Sequence, residues 1–126
     1  MRAFKTKWFA RFARQERIAD SSLREAIARA EQGHIDADPG GGLIKQRVAR
    51  QGQGRSGGFR VIVAYRAKQR AFFLLGFAKN EMENISSDEL VFLRELGQNW
   101  LAAGSARIRG EIEVGNLVEV EDGEET

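Results

Sequence analysis

At 126 residues and 42% hydrophobic, the chain suits one domain with a modest core, and the absence of cysteine excludes a disulfide framework and a thiolate metal site. The longest apolar run, AFFLLGFA (71–78), is too short to cross a bilayer, and MRAFKTKWFARFARQER lacks the apolar stretch of a secretory signal, so the expected compartment is the cytoplasm. The formal charge of +2 hides an asymmetry: residues 111–126 hold seven of the eighteen acids and no base, leaving residues 1–110 with twenty bases against eleven acids.

RAFKT (2–6) reads as a short first strand. WFARFARQERI (8–18) sets Trp8, Phe9, Phe12 and Ala13 on one side and Arg11 and Arg14 on the other, the pattern of an amphipathic helix with an aromatic core face. SLREAIARAEQG (22–33) opens on Ser22 and Glu25 in capping-box spacing and closes on Gly33, so the two helices are expected to form an αα-hairpin. DPGGG (38–42) then breaks the chain, and the period changes to two. LIKQRVA (43–49) places Leu43, Lys45, Arg47 and Ala49 on one face, and after the loop RQGQGRSGG, FRVIVAYR (59–66) places Arg60, Ile62, Ala64 and Arg66 on one face. AFFLLGFAK (71–79), apolar on both faces, reads as a central strand. SSDELVFLRELGQNWLAAG (86–104) is a third helix with Ser86 and Glu89 as its capping box, SARIRGEIEVG (105–115) extends it or stands apart, LVEV (117–120) reads as an edge strand, and EDGEET as disordered. The expected fold class is α+β: an N-terminal helical hairpin packed on a small antiparallel sheet with a C-terminal helix.

Charge is concentrated in the middle. From Pro39 to Asn80 there are nine bases and no acid, whereas a solvated face mixes signs; a phosphate backbone as partner accounts for such a run. The acidic end either folds back on that face or keeps a basic protein soluble. His34, the only histidine, reads as a helix-end cation rather than a catalyst, and a histidine-rich metal site is excluded. GQGRSGG lacks the Lys-Ser/Thr of a nucleotide loop, and Glu81 and Glu83 read as solvated. What remains is a set of Lys and Arg on strands beside a glycine-lined loop. Guanidinium groups stabilise the charge that grows on a pentavalent phosphorane, a lysine among cations can exchange a proton, and RNA brings its own 2′-hydroxyl nucleophile. Simple binding without catalysis stays open.

GGGLIKQRVAR, GQGRSGGFRVIVAYR and FLLGFAKNEMENIS, in that order, resemble the RelE superfamily of bacterial toxins in its HigB-type branch; the motifs cover residues 41–85, and the element order extends the likeness to about residue 103. The resemblance implies a RelE-like toxin domain over 1–115 with an acidic C-terminal tail over 116–126. It implies a type II toxin that enters the ribosomal A site and cuts mRNA without metal or other cofactor, inhibiting translation, and an adjacent helix-turn-helix antitoxin as partner. By its motifs, Lys45 and Arg47 match the basic catalytic pair and Arg60 the phosphate-gripping arginine, with Lys79 and Asn80 in the closing Lys-Asn-Glu. Asn80 stands where ribonuclease members often carry arginine, and Ser86 near the place of a stacking tyrosine. Arg50, Arg55, Arg66 and Tyr65 are expected RNA contacts, although Tyr65, like Phe59, reads equally as core. The alternatives are a ParE-like poison of DNA gyrase, a branch that lacks the catalytic set, or a basic RNA- or ribosome-binding module.

Overall fold

The computed structural model describes residues 1–50, 58–78 and 85–121. Its order is β1 (Arg2–Thr6), α1 (Lys7–Gln15), α2 (Asp20–Glu31), β2 (Ala37–Gly40), β3 (Leu43–Val48), β4 (Phe59–Arg66), β5 (Arg70–Ala78), α3 (Ser87–Leu101), α4 (Ser105–Glu113) and β6 (Leu117–Glu119). The expected antiparallel trio is there: β3 pairs with β4, and β4 with β5. The sheet is larger and mixed, however, with six strands in the order β2-β3-β4-β5-β1-β6. The helical pair is therefore not N-terminal. β5 is apolar on both faces and needs a neighbour on each edge, and β1 supplies the second, running parallel to it with Phe4 beside Phe72. The segment from α1 to β4 provides the long crossover that a parallel neighbour requires.

Each helix packs on the sheet. Phe9 and Ala13 of α1 and Leu23, Ala26, Ile27 and Ala30 of α2 bury against Ile44, Val48, Val61, Val63 and Phe73 on one face. Leu93, Trp100 and Leu101 of α3 and Ile108 of α4 bury against Leu43, Ile62, Ala64, Phe72 and Leu74 on the other. The strand alternation sorts side chains between these two layers. The capping box expected at Ser22 and Glu25 is absent: α2 starts at Asp20 after Ala19, with no side-chain cap, and Glu25 instead accepts from Arg29. Asp20 is the tie there, accepting from Lys5 Nζ and from the Glu121 backbone N–H. At Ser86 and Glu89 the reciprocal capping box is complete.

DPGGG does not simply interrupt the chain. Its first residues belong to β2, and Gly40, Gly41 and Gly42 turn into β3 with φ of +89°, +69° and +86°, a conformation that side chains rarely adopt. Arg94 and Gln98 of α3 donate to the Gly40 and Gly41 carbonyls, so α3 seats the turn. Strand β6, expected as an edge, pairs antiparallel with β1, and the buried Leu117 and Val120 join it to the core. The EDGEET segment from Asp122 onward lies outside the described residues, as does most of the glycine-rich loop.

Candidate functional site

On the α3 side of the sheet, the β3–β4 ladder has two halves. At Leu43 and Ala64, directly paired, α3 lies so close that a Cβ on Gly97 would stand 3.0 Å from the Ala64 Cβ. Further along the same face, Lys45 pairs with Ile62, and Arg47 with Arg60. There the surface dips into a shallow depression of about 250 Å³, lined by Asp36, Ala37, Lys45, Gln46, Arg47 and Arg60. The period of two in LIKQRV and FRVIV thus brings the three cations to one place.

Arg47 and Arg60 are directly opposed, an arrangement in which like charges repel. Burial first, and then the Arg47 charge, pull the Arg60 pKa below the usual guanidinium value, against the pull of Asp36. Asp36 holds the second arginine: it accepts from the Arg47 backbone N–H at 2.7 Å and from Arg47 Nη2 at 3.2 Å. Among the described residues the Arg60 side chain makes one long hydrogen bond of 3.5 Å, to the Phe59 carbonyl, and the Lys45 side chain makes no hydrogen bond or ion pair. Two cations in the depression therefore have donors that no described residue takes.

The other expected contacts are dispersed. Arg66 shares the face of Arg60 but donates to the Leu101 carbonyl at the end of α3. Arg50 lies over the Phe59 ring, 4.6 Å from its centroid, and Phe59 itself is buried. Tyr65 is on the opposite face, where its hydroxyl donates to Glu31; burial, and then that bond, raise its pKa. Ser86 caps α3, and His34 lends its backbone carbonyl to Gln46. Arg55, Lys79 and Asn80, together with Glu81 and Glu83, lie outside the described residues. Gly58 has a structural duty: a Cβ there would sit 2.1 Å from the Val48 carbonyl, so only glycine lets β3 and β4 converge.

Sequence reading passed over Asp36, Arg29 and Gln46. Only Gln46 carried a signal, being a polar residue in register with Ile44 and Val48 on the core face; it is fully buried and bonded to Ala26, His34 and Asp36. Among the described residues, no group of His, Cys, Asp and Glu is placed to hold a metal, and no helix is long and apolar enough to cross a membrane. The family model described as the RelE toxin of the RelE / RelB toxin-antitoxin system matches residues 1–120, past the motif region and through β6. The chain belongs to the RelE toxin family.

Proposed function

We propose that the protein is a HigB-type, ribosome-dependent mRNA endonuclease, acting in the cytoplasm and held idle by a helix-turn-helix antitoxin. The observation that carries the reading is the convergence of Lys45, Arg47 and Arg60 in one shallow depression of the sheet face. In this reaction the 2′-hydroxyl gives up its proton as its oxygen bonds to phosphorus, and the 5′-oxygen takes up a proton as its bond to phosphorus breaks. A 2′,3′-cyclic phosphate and a 5′-hydroxyl result. The planar fork of Arg60 holds two phosphate oxygens as their charge grows. Arg47 and Lys45 share the proton transfers and the stabilisation of the leaving oxygen, Lys45 being the residue type of the three that exchanges a proton. Lys79 and Asn80 are lesser contributors, and Arg50 and Arg55 hold flanking phosphates.

The test is cleavage of mRNA on programmed ribosomes, with mapped 3′ ends, beside a gyrase supercoiling assay. The reading expects cyclic phosphate or 3′-phosphate ends and uninhibited gyrase. Blocked gyrase with intact mRNA replaces it with the ParE-like function, and ribosome binding without cutting replaces it with a binding module. If about six bases meet single-stranded phosphates, log K falls with log salt at a slope of about −4.

A further inference from the structure

Asp36 has no step in that chemistry, yet three donors converge on its carboxylate. Its Oδ2 accepts from the Arg47 backbone N–H at 2.7 Å and from Arg29 Nη1 at 3.1 Å, and its Oδ1 from Arg47 Nη2 at 3.2 Å. A second tier supports the first. Arg29 also donates to Glu25 and to the Arg47 carbonyl, so that Asp36 and Arg29 between them hold the backbone N–H and the carbonyl of Arg47. The buried Gln46 accepts the Asp36 N–H at 2.8 Å and donates to carbonyls of Ala26 and His34. Helix α2, residues 34–36 and β3 are thereby tied at one point.

We infer that Asp36 is a positioning residue, holding the Arg47 guanidinium on the open face beside Arg60 so that both address one phosphodiester; the inference rests on the ribonuclease reading above. The opposed guanidinium groups repel, and an unrestrained Arg47 would swing its long side chain into water. The carboxylate offsets that repulsion and takes one of the five guanidinium donors, leaving the rest of the fork for phosphate. A role as general base fits poorly. Burial pushes the Asp36 carboxyl up, but hydrogen bonds from Arg47 and Arg29 outweigh it and hold the group below its ordinary value, so it keeps its charge and takes no proton.

The experiment is a double-mutant cycle of Asp36→Asn and Arg47→Ala, read as single-turnover mRNA cleavage at saturating programmed ribosomes, with thermal melts of every variant. In the wild-type background Asp36→Asn slows cleavage roughly 10- to 100-fold with little change in half-saturation, and Asp36→Glu restores part of the rate. In the Arg47→Ala background Asp36→Asn has no further effect, because its target is gone. An undiminished rate in Asp36→Asn, or the same fold-loss in both backgrounds, overturns the inference, since a mere brace for the strand acts without Arg47. Should Asp36→Asn melt below the assay temperature, Asp36→Ser takes its corner of the cycle. A wild type that cuts nothing removes the ribonuclease reading and this inference with it, and is told apart because all four corners are then silent.

Discussion

The two halves of the β3–β4 face have one backbone pattern and opposite fates. At Leu43 and Ala64 the pair disappears under α3, and both side chains are essentially inaccessible. Further along the ladder, Lys45 opposite Ile62 and then Arg47 opposite Arg60 occupy places that the same alternation would fill with apolar side chains. The first half is what folding asks of a strand beneath a helix. The second works against folding, because like charges face one another and Arg60 keeps its charge while partly buried. Local rules broken in this way are expected at functional sites, which is consistent with the proposed phosphate-binding role of these cations.

On the proposed function, the cationic half governs rate and the covered half governs stability. The largest expected effect is Lys45→Ala, which lowers single-turnover cleavage on the order of 10²–10³-fold and leaves the melting temperature within a few degrees of wild type. Leu43→Ala is its counterpart. It removes a side chain that is 1% exposed beneath α3 and costs about 2–5 kcal/mol in urea unfolding, while the folded fraction cuts at close to the wild-type rate. Comparable rate losses in the two variants would erase the distinction between the halves.

Arg60→Leu sharpens the comparison from the other side. It removes the repulsion with Arg47 and the burial of a charge, so the unfolding free energy from urea titration holds or rises, by up to about 1 kcal/mol, as cleavage slows by no more than at Lys45→Ala. A clear loss of stability would make Arg60 a structural residue.

The smallest effect is in pH. Asp36 has a folded pKa below its ordinary value, so its contribution is present above the unfolded carboxylate range, about pH 4, and is lost as pH falls through the folded value. The stability difference between wild type and Asp36→Asn should therefore be constant from pH 5 to 8 and close below about pH 4. A difference that instead varies between pH 6 and 8 would point to another group.

The strands that carry the cations were legible because their signal is local. Alternation in LIKQRV and FRVIVAYR set Lys45, Arg47 and Arg60 on common faces, and the glycine loop between them implied antiparallel pairing. Strand β1 was legible as an element but not as an interior strand, since RAFKT says nothing of its parallel partner, which starts only at Arg70. Gly40–Gly42 announced a turn, but the strand before it, ADPG, holds no β-branched residue and exists through its pairing with β3. Asp36 escaped because its role depends on Arg29 and Arg47, which lie on different elements and meet only in the fold. Tyr65 shows the converse: two rings could serve RNA or core, and only the facing of β4 reveals that its hydroxyl meets Glu31 of α2.

The most direct test of the central claim is Arg60→Lys, which keeps the charge and removes the fork. Programmed ribosomes carrying a labelled mRNA are titrated with wild type and variant, and binding and single-turnover cleavage are measured in one series. Ribosome affinity within about threefold of wild type, with cleavage slowed on the order of 10²–10³-fold, is the predicted result. Cleavage at the wild-type rate would contradict it, leaving Arg60 a source of steering charge alone.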